Sequence, residues 1–283
     1  MKRNLRTISL FSLLAVVIGL AGMVPAGATV PLLPDDTWGA SNTVNAILRV
    51  GGTIYLGGDF TALQADNDAT VPRNHLAAID AATGQPTSFD PNINGTIFGL
   101  AAAPDGSRLY AVGNFTQASG QSRKMIAAFD LPSGNLSSWK PAGFPNTVTR
   151  GIAVTADRVY IGGSFSTLGS TPRSKLAALS PVDGSISTQW VPTADGLVRD
   201  IVVQNGKAYI GGNFVNINGS DQRRFAAVDA TTGANACSTC FHPTYPILDI
   251  EGGPARIYLA GGATAQGFGA TEVFTAFFFE PND

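Results

Sequence analysis

Hydrophobic residues along the chain fall in short runs, each ended by Gly, Asp or Asn. Five of these runs correspond: Val44-Asn-Ala-Ile47, Ile97-Phe-Gly-Leu100, Thr149-Arg-Gly-Ile152, Val198-Arg-Asp-Ile201 and Ile247-Leu-Asp-Ile250. A tight turn follows each, and then a second apolar run that opens on Tyr. Runs this short, punctuated by turn residues, predict strands in hairpins and not helices. Asp105-Gly106 and Asn205-Gly206 are dipeptides of two-residue hairpins, in which both positions take positive φ. Only the stretch from Ile8 to Met23 is apolar nearly throughout.

The second run is a repeated motif. Tyr55-Leu-Gly-Gly-Asp-Phe60, Tyr110-Ala-Val-Gly-Asn-Phe115, Tyr160-Ile-Gly-Gly-Ser-Phe165 and Tyr209-Ile-Gly-Gly-Asn-Phe214 match closely, and Tyr258-Leu-Ala-Gly-Gly-Ala263 is a degenerate fifth copy. The tyrosines stand 55, 50, 49 and 49 residues apart. Downstream of each motif come a loop arginine (Arg73, Arg123, Arg173, then Arg223 or Arg224) and a third strand such as Leu76-Ala-Ala-Ile-Asp80. A Gly turn and an aromatic-x-Pro close the unit, as in Phe89-Asp-Pro91, Trp139-Lys-Pro141, Trp190-Val-Pro192 and Phe241-His-Pro243. A fixed period of this length defines a repeat architecture.

Four short antiparallel strands cannot bury both faces of their sheet alone, whereas radial stacking of copies can. The predicted fold is therefore all-β, a five-bladed β-propeller with four-stranded antiparallel blades. The repeats are expected near residues 44–91, 97–141, 149–192, 198–243 and 247–283. Trp38 precedes Val44 as Phe241 precedes Ile247, and the last repeat stops at its third strand. Residues 29–43 are thus expected to supply the outer strand of the last blade and close the ring, which removes exposed strand edges.

Composition supports this picture. Charged residues make up 13% of the chain against 44% hydrophobic, with 33 Gly and 17 Pro. Only Glu251, Glu272 and Glu280 are glutamates, too few for a helical protein. Length alone suggests two domains, but the repeat joins residues 29–283 into one. The basic start Lys2, Arg3 and Arg6, the apolar run and Pro25-Ala-Gly-Ala28 read as a signal peptide over residues 1–28, with cleavage after Ala28. Its removal takes three of 18 basic groups, leaving 15 against 20 acidic, a net charge of −5. That charge gives no attraction to nucleic acid or anionic lipid. The expected product is secreted, off the membrane after cleavage, and monomeric. Outside the cytosol Cys237 and Cys240 are expected to form a local disulfide.

The run Asp105-Gly-Ser-Arg-Leu-Tyr-Ala-Val-Gly-Asn-Phe-Thr116, with Arg123, Ile126-Ala-Ala-Phe-Asp130, Gly134 and the aromatic-x-Pro ending, resembles the delta-60 repeat. The resemblance covers roughly residues 44–262; the fifth unit lacks the motif Phe and the loop Arg. It implies a propeller-like fold and the extracellular setting of exported bacterial proteins. It brings no established catalytic residues.

Candidate chemistry is sparse. The loop arginines read as ties made once per blade. The outer aromatics, Trp38, Phe89, Trp139, Trp190 and Phe241, are candidate sugar platforms or rim packing. Asp200 and Asp249 take matched positions on adjacent inner strands, with Arg150, Arg199 and Glu251 near in sequence. They are either a glycoside hydrolase pair or a charge cluster at the channel mouth. Asp66 and Asp68 in the longer first loop are a weak calcium candidate that lacks the spacing of a known loop. No cofactor is expected. The expected function is a secreted, non-catalytic binding protein for a glycan, a cell-surface polymer or a protein. The alternatives are a glycan-active hydrolase with channel carboxylates and a structural or adhesive surface protein.

Overall fold

The five Tyr runs are the middle strands of five antiparallel sheets. A computed structural model describes residues 38–141, 143, 147–237, 242–253, 256–262 and, as backbone only, 275–279. Sheet one joins Val44–Val50, Thr53–Gly58 and Leu76–Asp80. Sheet two joins Ile97–Ala102, Arg108–Gly113, Ile126–Asp130 and a fourth strand, Asn135–Leu136. Sheet three joins Thr149–Val154, Val159–Gly163 and Leu176–Leu179. Sheet four joins Val198–Gln204, Lys207–Gly212 and Phe225–Asp229. Sheet five joins Ile247–Gly252, Ile257–Gly261 and Thr275–Phe279. In sheets one, three and four the fourth strand is reduced to single bridges, Ile79 to Pro86, Leu179 to Ile186 and Val228 to Asn235. No helix occurs among the described residues.

The motif residues explain the repeat. A Cβ on Gly58, Gly113, Gly163 or Gly212 would run into the carbonyl oxygen of Thr43, Thr96, Val148 or Leu197, so the last motif glycine is fixed by close approach of the inner strand. Phe60, Phe115, Phe165 and Phe214 are fully buried. Each Phe carbonyl accepts the N–H of a residue held at positive φ just before the third strand: His75, Met125, Lys175 and Arg224. This non-glycine left-handed turn recurs four times and gave no signal in the composition. Of the two hairpin dipeptides, Asn205 and Gly206 both have positive φ as expected. At Asp105–Gly106 only Gly106 does, because the turn starts earlier, with Gly106 N–H bonded to Ala103 O.

Sheets pack in sequence order through their inner strands. The apolar clusters lie across these joints and not within single sheets: Leu76, Ile97, Ala111 and Phe129 between sheets one and two, Tyr160, Trp190, Ile201 and Phe214 between three and four. Three of the four described joints work the same way, and at the joint between sheets two and three Val112 takes the place of the glycine. The first motif glycine leaves a socket, Gly57 for Ile97 and Leu100, Gly162 for Val198 and Ile201, Gly211 for Ile247 and Ile250. Ile152, Ile201 and Ile250 are buried in these joints, while their sheet-one counterpart, Ile47, is 69% exposed. Ala260, the sheet-five counterpart of Gly211, is exposed as well.

Residues 29–37 of the expected closing strand lie outside the described residues. The remainder departs from expectation: Gly39–Ala40 pairs with Ala62–Gln64 in the loop hairpin of sheet one, not with sheet five. The reason is local. Ala40 holds the place that Ala194 holds beside Ile217 in sheet four, so this segment follows the repeat and clips onto the hairpin after it. Trp38 packs on sheet one accordingly, with its indole N–H donated to Gln85 Oε1 at 3.0 Å.

Candidate functional site

Every inner strand carries a β-bulge at the same point. The register slips between Val44 and Ala46, Ile97 and Gly99, Thr149 and Gly151, Val198 and Asp200, and Ile247 and Asp249. The extra residue leaves the ladder and its side chain is re-aimed. Those five residues are Asn45, Phe98, Arg150, Arg199 and Leu248, different in kind although the scaffold around them repeats.

Among the bulge residues Phe98 and Arg150 meet directly, and Asn45 and Arg199 bond other residues. Asn45 Nδ2 donates to the Ile97 carbonyl at 2.9 Å. The Arg150 guanidinium lies 4.0 Å over the centroid of the Phe98 ring, a cation–π contact. Arg199 donates through Nε to Asn213 Oδ1 at 2.6 Å. Burial, and then the nearby Arg199 charge, push the Arg150 guanidinium below its usual pKa, and burial does the same to Arg199. Both arginines are half-buried. Neither forms an ion pair with a carboxylate among the described residues. Two partly desolvated like charges that interact are unfavourable without a counter-charge.

The expected charge cluster of these arginines with Asp200 and Asp249 does not form: Arg199 bonds Asn213 on its own sheet, while Asp200 bonds the inner strand of the next one. Asp200 lies under the inner strands. Its Oδ1 accepts the N–H of Ile201 at 2.8 Å and its Oδ2 that of Ile250, on the next sheet, at 2.7 Å. Asp249 is within hydrogen-bonding reach of it, and burial above all, with the Asp249 charge adding, pushes the Asp200 pKa up to about 8. Asp200 keeps some exposure as a residue, but its carboxyl is desolvated. Asp249 and Glu251 are exposed on sheet five, where Glu251 lies near the end of its strand and pairs with Tyr258.

The loop arginines are ties. Arg73, Arg123 and Arg173 each donate to two carbonyls: through Nη1 to the residue just before them, and through Nη2 to Thr87, Ser137 or Ser187, at 2.7, 2.9 and 2.7 Å. In sheet four this place belongs to Gln222, which donates to Cys237 O at 3.2 Å. Arg223 is an exposed partner of Asp221, and Arg224 takes the positive-φ position. The arginine pattern in the sequence pointed one or two residues too far.

Trp139 and Trp190 are packed into the joints and are not sugar platforms. Trp139 and Trp190 are 3% and 0% exposed, each edge-on to a motif tyrosine, Tyr110 or Tyr160, at 5.1 Å. Their indoles donate to Ser180 O at 2.9 Å and Asp229 O at 3.1 Å on the following sheet. A large ring with one polar atom fills the joint and finds its partner there. Trp38 is half-buried and hydrogen-bonded. Phe241 lies outside the described residues. Asp66 and Asp68 sit in the first loop hairpin, and no group of three metal-ligating side chains gathers among the described residues. Cys240 lies outside the described residues, so the expected pairing with Cys237 is not described.

No family model and no curated protein matches the chain. Among solved structures, the computationally designed Ika4 protein is similar over 61% of this chain and 87% of its own, with 12% sequence identity and a TM-score of 0.42.

Proposed function

We propose that the chain is an exported, non-catalytic binding protein of the delta-60 repeat type, and that its five sheets are the blades of a five-bladed β-propeller. Support for the ring comes from the joints: Ile47 and Ala260 are the unmatched halves of the contact made by Ile250 and Gly211. Asp249 has the place from which Asp200 takes the N–H of Ile250, so in the closed ring it accepts the N–H of Ile47. The ligand is a glycan, cell-surface polymer or protein that presents a carboxylate or sulfate to the bulge rim. One observation carries this reading: Arg150 and Arg199 are half-buried neighbours, one of them roofed on Phe98, with no carboxylate paired to either.

The carboxylate pair supports catalysis less well. A carboxyl with a pKa near 8 has the protonation state of a general acid. Asp200, however, is committed to two backbone N–H groups and to Asp249. Glycosidase carboxyls stand about 5–9.5 Å apart with sugar or water between them. The functional test is equilibrium binding of an oligogalacturonate to the full chain, with release of cleaved product followed in the same samples. Saturable binding without turnover is expected; cleavage that is lost in Asp200→Asn overturns the reading.

A further inference from the structure

The joint between sheets one and two differs from the two that follow it. There the outer aromatic is Phe89, 5.3 Å from Tyr55 and edge-on to it, where the next joints have Trp139 and Trp190. Phenylalanine lacks the second indole ring and its N–H. The carbonyl that an indole would reach, Asp130 O, takes the Ser133 hydroxyl at 3.1 Å instead. A cleft of about 520 Å³ opens at this place, bounded by Phe89, Tyr55 and the turn at Gly134. That volume is in the ~300–1,000 Å³ range of small-ligand sites.

The lining is polar, uncharged apart from one carboxylate, and underused. Ser88, Gln121 and Asn135 face the cleft and their side chains make no hydrogen bond with the described residues. Asp90 adds a carboxylate whose nearest cation, Arg73, is 3.9 Å away. Hydroxyl and amide groups with free donors and acceptors, beside an aromatic wall, suit a ligand that is itself a set of hydroxyls on a carbon ring. Asp90 accepts from hydroxyls and repels anions.

We propose that this cleft is a binding subsite for a neutral hexose unit, with Gln121, Asn135 and Asp90 holding hydroxyls and Phe89 facing the C–H side of the sugar. It goes beyond the anion-binding reading, since none of its residues belongs to the bulge rim. The sequence offered five outer aromatics as equivalent platforms. Of the described ones, the smallest, Phe89, is the one that lines this cleft, with Tyr55 and Phe129 edge-on behind it.

The test is titration calorimetry of the full chain with maltohexaose and with cellohexaose, followed by variants. Binding of at least one is expected at millimolar or better affinity. Phe89→Trp reproduces the packing of the next two joints, so it is expected to fold with an unchanged or higher melting temperature and to lose at least ten-fold in affinity. Asn135→Ala and Gln121→Ala, both at exposed positions, are expected to weaken binding at least five-fold without loss of stability. Arg199→Gln is expected to bind the neutral sugar as the wild type does, which separates this site from the rim. Absence of binding to both oligosaccharides overturns the proposal, and so does a folded Phe89→Trp variant with wild-type affinity.

Discussion

Asp200 Oδ2 accepts the backbone N–H of Ile250 at 2.7 Å, a bond from one sheet to the inner strand of the next. The carboxyl that makes it has a pKa of about 8, raised chiefly by burial. In the unfolded chain an aspartate titrates near 3.9. Between those values the folded state holds a proton that the unfolded state has released. Stability is therefore fully present below pH 4 as far as this group is concerned, and falls as pH rises toward 8, by an amount on the order of a few kcal/mol. Asp200→Asn removes the titration and one acceptor. Chemical denaturation from pH 4.5 to 8.5 is expected to show a falling stability for the wild type and a flatter profile for the variant. Equal slopes would contradict the assignment.

The fully buried indole of Trp190 spans the joint between sheets three and four, and its N–H bond to Asp229 O is partly buried. Trp190→Phe leaves the smaller ring found naturally at position 89. The expected loss is about 1–3 kcal/mol, from the hydrogen bond and the unfilled volume. Trp190→Ala is expected to cost about 3–5 kcal/mol. Urea unfolding of the two variants checks both figures.

Arg173 and Gln222 do one task in successive repeats, each donating to a carbonyl of the segment after the third strand. Arg173→Gln is accordingly expected to cost less than about 1 kcal/mol, and Arg173→Ala about 1–3 kcal/mol, since it leaves the Ser187 carbonyl without that donor. A thermal-melt comparison in which both substitutions cost the same would show that the tie is not what the arginine supplies.

Ring closure has its own test. With Ile47→Cys and Ala260→Cys introduced together, mild oxidation at micromolar protein is expected to give a monomer with an internal cross-link, detected by non-reducing electrophoresis and peptide mapping. Cross-linked dimers and higher species in place of that monomer would show that the fifth sheet meets the first sheet of another copy.

Much of the scaffold was legible because it is written several times. The Tyr motif, the Gly turns and the inner strands fall where the spacing puts them. What escaped was set by backbone geometry, which composition does not encode. His75, Met125, Lys175 and Arg224 share a positive φ yet no side-chain chemistry. The bulge at Asn45, Phe98, Arg150, Arg199 and Leu248 likewise has no residue signature, and the separate partners of Arg199 and Asp200 are visible only in the fold. Trp139 and Trp190 were read as either platform or packing, and only the neighbouring sheet, with Ser180 and Asp229 as acceptors, distinguishes the two. Gln222 was missed because a different residue type performs the arginine's task.

The central claim is that the bulge rim binds an acidic group through Arg150 and Arg199. Its most direct test is the affinity for an oligogalacturonate of Arg150→Gln and Arg199→Gln against Arg223→Gln, which removes an exposed arginine outside the rim. Each charge-assisted contact is worth about 1.5–3 kcal/mol, so each rim variant is expected to weaken binding about ten-fold or more while Arg223→Gln binds within two-fold of the wild type. Equal losses in all three would reduce the effect to general charge, and unchanged affinity in the rim variants would contradict the assignment of the site.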